Sequence, residues 1–90
     1  MAKAIVDPAE LRRFAHNLKH FNQELHHQMS VLQGQFAALG ETWRDQEHEK
    51  FAQEFTQTIQ AVSRFMETAQ QHIPFLLRKA EKVEEYLQQR

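Results

Sequence analysis

Ninety residues make one small domain, near the size at which a monomer buries little of its surface and oligomerisation becomes a common remedy. Hydrophobic residues are 41 %, charged residues 26 %, with two Gly and two Pro, so few breakers that long helices are expected rather than sheet. A formal net charge of −1 gives no electrostatic case for nucleic acid, and the lack of cysteine excludes a disulfide framework and thiolate chemistry.

The opening MAKAIVDPAELRRF has no apolar run long enough for a cleavable signal peptide, and no stretch approaches a membrane span. Any export is therefore expected to proceed without the ordinary secretory signal. Asp7-Pro8-Ala9-Glu10 reads as a helix start: Asp7 accepts from exposed amides, Pro8 loses nothing at the first helical position, and Glu10 follows three residues on. Val6 and Leu11 are placed to pack as a hydrophobic staple. Leucine then recurs every seven residues at Leu11, Leu18, Leu25, Leu32 and Leu39. Phe14 and Phe21 flank this row, followed by Met29 and Phe36 one step later in the cycle, the drift of a nearly straight helix. The first helix is expected over about 8–39, with Gly34 tolerated inside it at roughly 1 kcal/mol.

Gly40 is suited to stop this helix in a left-handed conformation, and Thr42 with Asp45 has the pattern of a capping box for the next. That predicts a turn at 40–42 and a second helix over about 43–89. Its apolar row runs Phe51, Phe55, Ile59, Val62, Met66, Ala69, Ile73, Leu76, Ala80, Val83 and Leu87, in alternating steps of three and four. So short a connection makes the two helices antiparallel, an all-α hairpin. Trp43, the one tryptophan, falls in GETWRDQ at the midpoint, where it is expected to fold over the hairpin end and close the seam at Phe36 and Leu39. Any part of its ring left open to solvent would be a docking feature.

Pro74 removes one backbone hydrogen bond, and a kink or break near 74 is expected. Aligned from the turn, Pro8 falls opposite Pro74, leaving FLLRKAEKVEEYLQQR as an overhang rich in apolar side chains. Phe75 points roughly 140° from the mean direction of the second stripe, and that stripe is wider than one neighbouring helix requires. Covering such surface calls for a second molecule, so two hairpins are expected to pair as a four-helix bundle. An isologous homodimer is the default. Phe75, Val83, Tyr86 and Leu87 are the candidate partner or dimer contacts.

Six histidines raise the question of a metal. His16, His20 and His27, with Glu24, fall on one stripe of the first helix, and His16-x-x-x-His20 has a chelating spacing. That stripe lies opposite Leu11, Leu18 and Leu25, so a solvated polar face is expected and no metal or cofactor is assigned. His48, directed toward the core beside Trp43, is expected as a partly buried structural residue. No Ser/His/Asp grouping has supporting context, no glycine-rich phosphate loop exists, and no carboxylates pair in a recognisable cleft. No catalytic residues are assigned, and an enzyme is not expected. Three acidic residues beside four basic ones in the last sixteen argue against membrane contact there.

A chain near one hundred residues, two long helices and a central tryptophan turn resemble the WXG family, the small early-secreted-antigen-like proteins. The matching segment is TWRDQEHEKFAQEF, with Trp43 at the midpoint and Phe51 and Phe55 following at helical spacing. Asp45 stands at the glycine position, making the turn W-x-D; Asp tolerates turn geometry and caps helices. In that family a tail Tyr is usually followed four residues later by Asp or Glu, whereas here Tyr86 is followed by Arg90. A looser pattern of an acidic residue between apolar ones is met by Ala80, Glu84 and Leu87.

The resemblance implies a non-enzymatic protein that works by protein–protein contact through the turn motif Trp43 and Asp45 and through the tail. It implies type VII secretion machinery as a partner, and a cytoplasmic stage before export. It also implies a heterodimer with a related WXG-type protein as the rival to the homodimer. The alternative is an intracellular helical dimerisation or scaffold module that is not exported.

Overall fold

The structure of the protein, a computed structural model, describes residues 6–88. Two helices account for nearly all of it: α1, Pro8–Leu39, and α2, Gln46–Gln88. Asp7 caps α1 from extended backbone, its side chain accepting from the Ala9 amide at 2.9 Å, with Pro8 in the first turn and the Asp7 carbonyl accepting from Leu11 at 3.1 Å. The helices run antiparallel along their lengths into a rod of 68 × 18 × 14 Å.

Small residues sit where the two axes approach. The fully buried side chains are Ala15, Ala69 and Ala80, joined by one polar residue, Asn22. The larger apolar residues of the seam (Leu18, Leu25, Met29, Phe36, Phe55, Ile59, Val62, Met66 and Ile73) are half-buried. No large side chain is fully buried among the described residues. Asn22 fixes the register: its side-chain amide donates to the Met66 carbonyl at 2.9 Å across the seam, while its own Oδ1 is buried without a partner. A buried amide bonded across a helical interface is a registry device that costs stability.

Three expectations are corrected. The second helix starts at Gln46 rather than Trp43, because Asp45, not Thr42, is its cap: the Asp45 carboxylate accepts from the His48 amide at 3.0 Å, whereas the Thr42 hydroxyl donates back to the Leu39 carbonyl at 3.3 Å. Gly40 is not left-handed but right-handed helical, at φ −62° and ψ −15°, so the chain leaves α1 by tightening its last turn. Nor does the helix break at Pro74, which lies inside a continuous α2. A single missing hydrogen bond is offset there by packing on both sides, at Ala69 and Ala80.

The longer turn also shortens the overhang. With the Asn22–Met66 pairing carried along both helices, Pro8 comes level with about Ala80 rather than Pro74. Arg12 then reaches Glu84 in a bidentate ion pair that ties the start of α1 to the end of α2.

Candidate functional site

Turn, face and tail are the three parts of the rod with functional potential. At the turn, the amides of Gly40, Glu41, Thr42 and Trp43 donate to the carbonyls of Phe36, Ala38, Leu39 and Leu39 at 3.0–3.2 Å, which uses the C-terminal acceptors of α1. This brings Trp43 over the first turns of α2. Its half-buried indole meets the His48 ring edge-on at 5.1 Å and lies 6.0 Å from Phe51. His48 in turn stacks on Phe36 at 5.2 Å with the planes 5° apart, and Phe36 stands 4.9 Å from Phe55. The seam is therefore closed at this end by four aromatic residues of both helices and the turn, with the histidine between them. The imidazole lies against Gly40, where an added Cβ would stand 3.6 Å from Nε2, and that nitrogen is buried without a hydrogen-bond partner. Asp45 is exposed beside this cluster, its carboxylate occupied as the α2 cap.

Along the rod, the two long faces differ in chemistry. At about 100° per residue, Phe14, Phe21, Leu32 and Leu39 of α1 fall on the same side of the seam as Phe51 and Phe65 of α2. The contact between Phe21 and Phe65, edge to face at 6.2 Å, joins the two rows. Both rings remain open to solvent, at 52 % and 49 %. The opposite side is a groove of 920 Å³ whose walls carry Lys19, Gln23, His26, Ser63, Glu67 and Gln70. The groove has an apolar floor of Met29, Ile59, Met66 and Ile73 between polar walls, whereas the other face exposes aromatic rings.

The tail residues lie at the far end of the rod from Trp43 and Asp45, so the two proposed docking elements of one chain are not brought together. Within the tail, Phe75 and Tyr86 project outward at 57 % and 51 % exposure, Val83 is half-buried, and Leu87 is exposed. Glu84 is held by Arg12: the hydrogen bond between them, followed by their mutual attraction against some desolvation, lowers the carboxyl and raises the guanidinium relative to their ordinary values. On α1, His16, His20, Glu24 and His27 are exposed, and among the described residues no three His, Asp or Glu side chains are placed for a metal ion.

Sequence reasoning did not identify the apolar face itself. Its signal was present in Phe14 and Phe21, which repeat the seven-residue leucine spacing one position to the side, and in Phe65, off the second stripe. The Arg12–Glu84 pair and the buried Asn22 had no local sequence signal.

An antiparallel helical hairpin with a midpoint tryptophan closing its turn defines a class of small all-α proteins. The chain belongs to the WXG family: the family model "Proteins of 100 residues with WXG" matches residues 4–86. Among solved structures the chain is similar to the secreted protein EsxB from Bacillus anthracis strain Sterne. The wild-type crystal structure matches at a TM-score of 0.79 and 30 % identity, over 94 % of this chain and 99 % of that one. Two single-residue mutants of EsxB match at TM-scores of 0.81 and 0.77, with 30 % and 31 % identity, over 94 % and 93 % of this chain and 96 % and 97 % of theirs. Among curated proteins, none matches. No helix among the described residues is long and apolar enough to cross a membrane.

Proposed function

We propose that this WXG-family protein is a type VII secretion substrate or secretion partner that works without catalysis, by presenting paired helical hairpins to other proteins. The observation that carries the reading is the incomplete core. The chain exposes 7468 Å², against about 5,500 Å² for a compact monomer of its mass. The excess of about 2,000 Å² is that of an extended two-helix rod, and the exposed apolar side, centred on Phe21 and Phe65, offers a second hairpin a surface to cover. A second hairpin laid there completes a four-helix bundle. A second copy of this chain is the default occupant, and a related WXG-type protein is the rival.

In this reading Trp43 and Asp45 shape one end of the bundle, while Phe75, Val83, Tyr86 and Leu87 form the contact surface of the tail. The protein passes from cytoplasm to exterior. EsxB is described as a secreted protein, and 30 % identity over almost the full length supports the same route here. The test is to express the tagged chain, with its genomic neighbour, in paired strains with and without the type VII membrane ATPase. Appearance in the medium only where the ATPase is present is expected; retention in the cell pellet of both overturns the export reading. One observation favours a non-exported dimerisation module instead: Arg90 stands where family members usually carry an acidic residue after the tail tyrosine.

A further inference from the structure

The outward side of the last turns of α2 carries a pattern that neither the seam nor the apolar face uses. Phe75, Arg78, Lys79, Lys82 and Tyr86 follow at spacings of three, four, seven and eleven residues. At about 100° per residue, Phe75, Arg78, Lys82 and Tyr86 lie about 120–160° from the buried Ala80, and Lys79 about 100° from it. All five are exposed, and Phe75 and Tyr86 are more than half open to solvent. The rise of an α-helix sets the two rings about 16 Å apart along the axis, with the three cations between them. Glu84 faces α1 and is engaged by Arg12, while Glu81 and Glu85 flank the ridge on its Arg78 side, about 60° and 20° from Arg78. Among the described residues Arg12–Glu84 is the one ion pair, so Arg78, Lys79 and Lys82 stand without a carboxylate partner.

Resting on the reading of the tail as a docking element, we propose that this ridge seats in an acidic groove on a partner protein. The groove would hold an apolar pocket at each end for Phe75 and Tyr86 and carboxylates between them. Anchors at such spacings are how a helix lays one face into a groove, and the unpaired cations set the sign of the groove's charge. An anionic lipid surface fits less well. A flat surface feels every charge within a Debye length of about 8 Å, and Glu81 and Glu85 then offset the basic residues. A groove engages the ridge alone and leaves those acids at its rim.

The test uses the full chain and two labelled probes, a random copolymer of glutamate and tyrosine and polyglutamate of equal length, read by fluorescence anisotropy. The wild type is expected to bind the copolymer at least fivefold more tightly than polyglutamate. Neutralising the ridge, by Arg78→Gln with Lys79→Gln and Lys82→Gln, is expected to weaken copolymer binding tenfold or more, as is Phe75→Ala with Tyr86→Ala. A control that removes the same charge elsewhere, Arg13→Gln with Lys19→Gln and Arg44→Gln, should stay within twofold. Equal binding of the two polymers, an equal loss in the control, or no binding at all overturns the proposal. Capture of the wild type by phosphatidylglycerol vesicles but not by the copolymer overturns it in favour of a lipid surface. Light-scattering mass and export, recorded on the same ridge variants, report separately on the pairing and secretion readings.

Discussion

Replacing Trp43 with alanine removes the turn's own side chain from the aromatic cluster that closes this end of the seam. The indole's contacts with the His48 ring at 5.1 Å and with Phe51 at 6.0 Å are lost, and water reaches Phe36 and the buried His48 Nε2. Full burial of an indole withdraws roughly 150–250 Å² from water, or ~4–6 kcal/mol at about 25 cal/mol per Å². Trp43 is half-buried, and alanine retains the Cβ, so the expected loss is about 2–3 kcal/mol. A chain of this length has about 5–13 kcal/mol in total, so a large share of its stability is at stake. Urea unfolding followed by far-ultraviolet circular dichroism reads the change without needing the tryptophan. With a slope of about 1 kcal/mol per molar urea, the midpoint should fall by about 2–3 M. Protein concentration must be held fixed, because pairing of hairpins adds a mass-action contribution. An unchanged midpoint would refute the role of Trp43 as the closing plug.

Three further outcomes are expected. Gly34 lies inside α1 with nothing within 4 Å of an added Cβ, so Gly34→Ala should stabilise the chain by about 1 kcal/mol in the same unfolding assay; destabilisation would mean that this surface is covered. Asn22→Leu removes a buried, unpartnered Oδ1 at the cost of one hydrogen bond to Met66, and the thermal midpoint should rise; a fall of several degrees would make the amide a net stabiliser. Glu84 is lowered by its bond to Arg12, so its contribution is present above the unfolded carboxyl value of about 4.3 and is lost as pH falls through the folded value. Thermal melts of Glu84→Gln should therefore show a smaller loss than wild type between neutral pH and about pH 3, and identical losses would dismiss the ion pair as a source of acid sensitivity.

Local chemistry made much of the hairpin legible. Asp7-Pro8 carries its cap in two residues, the leucine row carries the period of α1, and the mixed threes and fours from Phe51 onward carry that of α2. The turn was harder because Thr42 and Asp45 both suit a cap. The choice fell to Asp45 because Gly40 to Trp43 spend their amides on the last carbonyls of α1, so α2 begins only after them. That error carried into the register, since a longer turn slides α2 along α1, which brings Pro8 level with about Ala80 and Glu84 within reach of Arg12. The break expected at Pro74 is absent from a continuous α2: a lost hydrogen bond is visible in sequence, whereas the packing of Ala69 and Ala80 to either side is not. Of the candidate contact residues, Trp43 declared itself by position. Phe14, Phe21 and Phe65 declare themselves as a face only once the two helices are set side by side.

The central claim is that this apolar face is made to be covered by a second hairpin. Light scattering at micromolar concentration, on the chain alone and mixed with the product of the neighbouring gene, tests it most directly. A mass of twice the 10.7 kDa chain, or of the sum of the two chains, is expected, with Phe21→Glu returning the protein to the mass of one chain. A single-chain mass for the wild type under both conditions, or a pair that Phe21→Glu leaves intact, would contradict it.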